Sequence, residues 1–560
     1  MLKKKFSWRR LGKRALYVVL VFVVLLLIGA AYLFTVAIEH PPKPADQSSL
    51  QLERTEVSPG FYTLNNNWFR KSKSGLYELY VEGDAFERGV INGKLTKELV
   101  QRQEDHFTEQ ISKIVPSKTY QHFLKYFIGW FNRDLVNNVT DEYKEEIYGV
   151  SLAADKKYDY IGSNYQRILN YHAAHDIGHA LQNMALVGCT SFGTWDARSA
   201  DSSMIIGRNF DFFVGDKFAE EKIVAFVNPS KGYKFMTVTW GGFVGAVSGM
   251  NVKGLSVTIN AAKTNIPSGS ATPVSLVARE ILQYAQNIKE AIAIAQSRKM
   301  FVSESFLVAS AADKKAVIIE KTPDSIDVYD PRKDFILCAN HFQSKGLVSS
   351  KENLEQIEES ASFYRYQRLT ELLNSAGKNS VEKTVRILRD QKGLQGADIG
   401  LGNEKAINQL MAHHSIVFEP QKLLVWVSTA PWQLGDYVAY DLNKVFALQG
   451  MRLNGEVSDS LLTVPADSFL STPAYRNFEA FRKFKQRLSN GDQVSTDSLI
   501  ASNPEYYHSY VLAGDYLFNQ KEYEKALRLY RIGLTKVIAT RKEENHIRGQ
   551  VKKCENKLKS

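Results

Sequence analysis

Residues 187–212 read VGCTSFGTWDARSADSSMIIGRNFDF, and the rest of the chain is read outward from them. Cys189 follows a glycine and precedes two hydroxyl residues, Thr190 and Ser191. Phe192 and Thr194 alternate with Gly193 and Trp195, and the apolar run Met204-Ile205-Ile206 follows after a polar gap. This pattern predicts a β-hairpin with its turn near residues 200–203. Such a hairpin returns Arg208 and Asp211 toward Cys189. A guanidinium beside a thiol favours the thiolate, the form that attacks carbonyl carbon. A small buried core cysteine is nevertheless the commoner fate of this residue on a strand. Gly-Cys-Thr-Ser alone does not decide between the two.

Further motifs stand in order around this stretch. Upstream are GDAFERGVINGKL at 83–95 and DEYKEEIYGVSLAA at 141–154. The hairpin ends in Gly207-Arg208-Asn209-Phe210-Asp211. Downstream, Met250-Asn251 and Gly254-Leu255 flank a turn and lead to Asn260. Then come FILCANHF at 335–342, carrying Asn340, and SASFYRYQRLTELL at 360–373, carrying Arg365 and Arg368. Across roughly residues 75–450 the chain resembles the N-terminal-nucleophile (Ntn) hydrolases of the choloylglycine hydrolase and isopenicillin N acyltransferase type.

The resemblance implies an α+β fold, a four-layer αββα sandwich of two stacked sheets between helical layers. It implies that the chain cuts itself between Gly188 and Cys189. The Cys189 side chain would then attack an acyl carbon and its freed α-amine would act as base; such an amine titrates near pH ~8, close to working pH. Arg208 and Asp211 would position and polarise that terminus, Asn260 and Asn340 would bind the oxyanion, and Arg368, preferred here over Arg365, would complete the charge network. No cofactor and no metal is implied. The expected activity is hydrolysis or transfer of an acyl group at the carbon–nitrogen amide bond of a small N-acyl compound. Two other readings remain open: an esterase or thioesterase on the same site, and a non-catalytic envelope protein that works through its C-terminal helices.

The 560-residue chain has a net charge of +11. Much of it is terminal. Lys3, Lys4, Lys5, Arg9, Arg10, Lys13 and Arg14 precede the first acidic residue, and the last forty residues are rich in lysine and arginine. The middle is close to balanced, so nucleic-acid binding is not supported. Residues 15–37 carry no charge and suffice to cross a bilayer core of ~30 Å as a helix. Basic residues on one flank only place the N-terminus in the cytoplasm and everything after Glu39 outside, in the periplasm or the extracellular space. A cleaved signal peptide is the rival reading, but the apolar run is long for one. Three cysteines, Cys189, Cys338 and Cys554, are too few and too scattered for a disulfide framework.

The expected organisation is a cytoplasmic basic tail (1–14), a transmembrane anchor (15–37), a Pro-containing stalk (38–74), a helical pro-segment (75–188), the catalytic domain (189–450), a linker (451–500) and a tetratricopeptide-like helical tail (501–560). One such repeat cannot bury its own face, so the tail must pack on the main domain or on a protein partner. Gly89 and Gly93 lie on one helix face and predict close packing against another backbone. His172, His175 and His179 share a helical stripe that could hold a metal, form a polar helix surface, or be hydrogen-bonded inside the pro-segment.

Overall fold

The computed structural model describes residues 8–559 except 115–116, 182–187, 213–214, 266 and 268. Two sheets form its centre. The larger has eleven strands, in spatial order Thr55–Ser58, Phe61–Leu64, Asn67–Lys71, Tyr77–Gly83, Ile223–Pro229, Phe235–Thr239, Ser248–Asn251, Leu255–Ala261, Glu304–Ser310, Lys315–Lys321 and Ile326–Tyr329. Its neighbours are antiparallel except Tyr77–Gly83 and Ile223–Pro229, which run parallel over seven residue pairs. The smaller sheet has seven strands, in the order Phe335–Cys338, Thr190–Thr194, Ile205–Phe210, His414–Glu419, Leu424–Ser428, Tyr437–Asp441 and Ser458–Val464.

The pleat sorts successive side chains into different cores. Val224 and Phe226 meet Ile206, Ile416 and Val427 between the sheets, whereas Ala225 faces the other way with Ile91, Ile147 and Leu282. On the outer face of the smaller sheet, Phe192, Val417 and Ala439 pack with Leu369, Val385 and Leu388. The order is therefore helices, sheet, sheet, helices, an α+β arrangement.

Gly89 and Gly93 do what their spacing suggests. A Cβ at Gly89 would collide with the Glu146 carbonyl oxygen, and one at Gly93 would lie 3.0 Å from that of Val150. This contact joins the helices Ala85–Leu95 and Asp141–Ser151. Beside it the buried guanidiniums of Arg88 and Arg279 share the Glu146 carboxylate. Two charges can be buried with one opposite partner because each guanidinium also donates to a carbonyl, Arg88 to Gly83 and Arg279 to Val244.

Two boundaries are corrected. Residues 38–74 are not a stalk throughout, since 55–71 supply three strands at the edge of the larger sheet. Asn65, at a φ of 53°, and Asn66 make the turn between Phe61–Leu64 and Asn67–Lys71. Residues 451–500 are not a plain linker either. Ser458–Val464 extends the smaller sheet, and the helix Pro473–Ser489 seats Phe478 against Trp432.

The final helices include the pair Tyr507–Asn519 and Tyr523–Gly533, where Gly514 leaves room for the Tyr530 ring; a Cβ there would be 2.7 Å from it. They pack on the main domain. Asn503 exchanges hydrogen bonds with the Leu401 backbone, and Asn403 donates to the Val537 carbonyl.

One N-terminal helix, Trp8–Val36, is long and apolar enough along Lys13–Val36 to cross a membrane. Its C-terminal end meets the domain. Ala37 lies against Gly129, and its carbonyl accepts from Gln166.

Candidate active site

The hairpin forms as its sequence predicts. Thr190–Thr194 pairs antiparallel with Ile205–Phe210, and Ser191 lies opposite Arg208. Because Cys189 immediately precedes the first strand, this register brings Arg208 Nη2 to 3.6 Å from Cys189 Sγ. Both residues are buried. The guanidinium is fixed from behind: it donates to the carbonyls of Val247 (3.1 Å) and Ile259 and to Ser248 Oγ, and it stacks over Phe210 at 4.3 Å. Ser248 Oγ in turn lies 2.8 Å from His414 Nε2.

Burial pushes the Cys189 thiol up to about 11, against the pull of Arg208 and Arg365. In the uncut chain the sulfur is thus a neutral thiol. Burial likewise raises Asp211 to about 7, opposed by the same two arginines. Asp211 Oδ2 accepts from Gln409 Nε2 at 3.2 Å, while Oδ1 has no partner. The Gly188 N–H donates to the Asp211 carbonyl at 3.1 Å, which sets this residue beside the Gly188–Cys189 peptide.

Asn340 and Asn260 are both close by but already engaged. Asn340 Nδ2 donates to Ala261 O at 2.9 Å. Asn260 donates to Ala339 O at 3.1 Å and accepts from Ser191 Oγ at 2.8 Å. These bonds tie the ends of Leu255–Ala261 and Phe335–Cys338 to each other and to the strand Thr190–Thr194.

Arg368 is not brought to the site. It pairs with Asp390 at 2.9 Å and Glu371 at 3.1 Å, on the outer side of its helix. Arg365, three residues earlier, points inward. Its Nη1 donates to Cys189 O at 2.6 Å and Thr190 Oγ1 at 2.8 Å, and Nη2 to Asn340 Oδ1 at 2.6 Å. Both arginines are buried, but a shift of three residues is most of a helical turn, which is enough to aim one at Cys189 and the other at Asp390.

A family model described as Acyl-coenzyme A:6-aminopenicillanic acid acyl-transferase matches residues 198–429. That span is similar to an Ntn acyl-transferase family. It contains Arg208, Asp211, Asn260, Asn340 and Arg365, and it begins nine residues after Cys189. Among curated proteins, an uncharacterized protein of Archaeoglobus fulgidus is 23% identical over 357 residues, covering 56% of this chain and 58% of the relative. Protein dcd1B of Dictyostelium discoideum is 21% identical over 276 residues, covering 46% and 52%. The chain thus spans little more than half the length of these relatives. Among solved structures, a Caenorhabditis elegans N-acylethanolamine-hydrolyzing acid amidase ortholog is 19% identical, covering 42% of this chain and 93% of that one, with a TM-score of 0.29. A conjugated bile acid hydrolase of Clostridium perfringens is 12% identical, covering 50% and 97%, with a TM-score of 0.31.

Two further residues of the matched span lie beside Cys189 and Asp211 or act on the Cys189 thiol electrostatically, and escaped the sequence reading. Gln409 Nε2 donates to the Gly188 carbonyl at 2.8 Å, and a Cβ at Gly188 would stand only 2.5 Å from that nitrogen. Gln409 sits in an irregular loop, and no motif marks it. Glu304 is buried, with neither carboxyl oxygen hydrogen-bonded. Burial and the nearby Asp176 hold it protonated far above the usual carboxylate range. Its signal was available, as an acid opening an otherwise apolar strand.

The histidine stripe divides. His172 is buried with both ring nitrogens engaged, Nδ1 on Ile168 O (2.8 Å) and Nε2 accepting from Val244 N–H (3.0 Å). The side chains of His175 and His179 lie outside the described residues. A cleft of about 500 Å³ opens at the ends of the strands that carry Asn260 and Glu304, lined by Lys263, Asn265, Ser303, Phe342 and Leu347.

Proposed function

We propose that this chain is a self-cleaving, membrane-anchored cysteine amidohydrolase or acyltransferase acting on the carbon–nitrogen bond of an N-acyl substrate. One observation carries this reading. The sulfur of Cys189 and the carbonyl just before it are each met by a buried donor: Arg208 faces the Cys189 sulfur, and Gln409 binds the Gly188 carbonyl oxygen.

In the first event Cys189 Sγ adds to the Gly188 carbonyl carbon. Gln409 Nε2 stabilises the negative charge that develops on the oxygen, as fixed donors do at acyl centres. Collapse breaks the C–N bond, moves the acyl group to sulfur and leaves the nitrogen as an amine. Water then hydrolyses the thioester, giving a Gly188 carboxylate and a free Cys189 terminus. The unpartnered Oδ1 of Asp211 is a ready acceptor for that ammonium.

In turnover the amine takes the thiol proton and the sulfur attacks the substrate amide. The amine then returns the proton to the leaving nitrogen, and water or a second nucleophile releases the acyl group. Arg208 favours the thiolate, and Arg365 holds the Cys189 carbonyl against Asn340. Residues 1–14 are read as cytoplasmic, the apolar helix as a retained anchor, and everything after it as extracytoplasmic. The terminal helix pair is read as tetratricopeptide-like and open to a protein partner.

Mass spectrometry of the purified protein tests the first event. A fragment beginning at Cys189 is expected, with release of free acid from a panel of N-acyl compounds. A full-length chain that turns those compounds over would end this reading. So would a cut chain that acts only on esters or thioesters, as far as the amide bond is concerned.

A further inference from the structure

The helix Lys118–Phe131 carries an aromatic stripe that the domain does not cover. Outside the anchor, the three most exposed aromatic side chains among the described residues are all on it: Phe123 at 68%, Tyr120 at 62% and Phe127 at 59%. Positions 120, 123 and 127 share one helical face, and Trp130 continues it, its ring 6.0 Å from that of Phe127. Exposed apolar side chains scattered singly are ordinary, whereas a continuous stripe of rings marks a surface that something covers.

The neighbouring element says what. The face of this helix that borders the stripe packs on the end of the apolar N-terminal helix: Phe34 meets Tyr126 edge-on with ring centres 4.9 Å apart, and Gly129 accommodates Ala37. Wherever the anchor leaves the bilayer, the stripe is therefore at the same level. Lys118 stands exposed at one end, and Arg133 lies over the Trp130 ring at 4.7 Å at the other. Rings flanked by cations are the composition of helices that lie in the headgroup region, with the rings at the acyl boundary and the charges in the phosphate layer.

We infer that the face bearing Tyr120, Phe123 and Phe127 is immersed in the interfacial layer of the bilayer that the anchor enters. The domain is thereby held on the membrane in one fixed orientation rather than swinging at the end of its anchor. Arg133 also lines the cleft beside Asn265, so the cleft mouth is kept at headgroup height. The inference rests on reading the N-terminal helix as a membrane anchor.

The test uses the full chain in phosphatidylcholine vesicles with a minority of phosphatidylglycerol. Single cysteines are placed at Phe123→Cys, Phe127→Cys and, as a distant control, Leu461→Cys, which is 94% exposed. The background is Cys189→Ala, and the two remaining cysteines are buried. Each site is labelled with a polarity-sensitive dye. Dyes at 123 and 127 are expected to shift to the blue and to be quenched at least ~3-fold more strongly than the control by a lipid-borne nitroxide, since interfacial helices bury their apolar face only ~5–10 Å deep. Quenching of all three by aqueous iodide alone overturns the inference. So does a blue shift without lipid quenching, which would mean a protein covers the stripe. If the N-terminus is intact, those results leave the anchor reading standing. A mature chain lacking residues 1–37 removes both.

Discussion

Cys189 and Cys338 are two buried thiols on neighbouring strands, with Cys338 in register with Ser191, two residues after Cys189. Burial raises both, Cys338 far above the ordinary thiol range. They differ in what touches them. The nearest acceptor to Cys338 Sγ is the carbonyl of Ala339 at 3.7 Å, a contact that keeps the proton on sulfur. Cys189 faces the Arg208 guanidinium, its own carbonyl is held by Arg365, and the carbonyl before it is held by Gln409. Both thiols are buried, but among the described residues only Cys189 has a fixed donor on its sulfur as well as on the two adjacent carbonyl oxygens.

The strongest way to break this contrast is to exchange the two. Cys189→Ala should abolish both the cut and turnover, leaving one polypeptide by mass spectrometry. Cys338→Ala should cost about 1 kcal/mol for a small buried cavity and leave the cut intact. Equal effects would mean that the donors around Cys189 are incidental.

Next in size is the pair of arginines on one helix. Arg365→Ala should lower kcat/KM by roughly 10²–10³-fold, the cost of removing a fixed donor from an acyl-transfer site. Arg368→Ala leaves Asp390 without its bidentate, largely buried partner and should cost stability, but the activity of the folded protein should stay within about threefold. The reverse order would return the role to Arg368.

Gln409→Ala should slow the appearance of the fragment beginning at Cys189 by ~10–10²-fold, since one oxyanion donor is lost. Gln409→Glu should be slower still, because a carboxylate opposes the developing charge. Pulse-chase of newly made protein reads the rate. An unchanged rate for both would leave Gln409 as a packing residue.

The smallest effect concerns Asp211, read as thermal stability in the uncut Cys189→Ala chain. Its carboxyl sits at about 7 in the fold and near 3.8 unfolded, so the folded state holds the proton more tightly. That contribution is fully present below pH ~4 and is lost as pH rises through 7, because one pKa unit of upward shift is worth ~1.4 kcal/mol. Asp211→Asn lacks this dependence. It should match its parent near pH 4 and exceed it by a few °C near pH 8; parallel curves would show that Asp211 is charged throughout.

The hairpin was legible in the sequence because a period of two and a turn are local properties, and its register then fixed Arg208 against Cys189. Asn340 and Asn260 were singled out only because the motifs around them resemble those of the family; no local property of the chain marks them. Arg368 was misread because a stripe of two arginines on one helix does not say which faces the core; only packing of Leu369 and Leu373 against the smaller sheet settles that rotation. Gln409 was invisible, since its role arises from a loop 221 residues away in the chain. The strands at 55–71 were overlooked beside Pro41, Pro42 and Pro44, although Asn65-Asn66 between apolar runs is itself a turn signal.

The parallel ladder between Tyr77–Gly83 and Ile223–Pro229 joins a strand upstream of the Gly188–Cys189 bond to one downstream of it. If that bond is cut as proposed, the piece that keeps the apolar helix is residues 1–188, and the piece that keeps Cys189 has no covalent route to the bilayer. It would stay because the four strands of the first piece form one edge of the larger sheet and pair with the second through that ladder, with Arg88 of one and Arg279 of the other clasping the same carboxylate. The proposed cut would thus turn a tethered polypeptide into a heterodimer whose grip on the membrane is as strong as a β-sheet, and which a denaturant would dissolve where a salt wash would not.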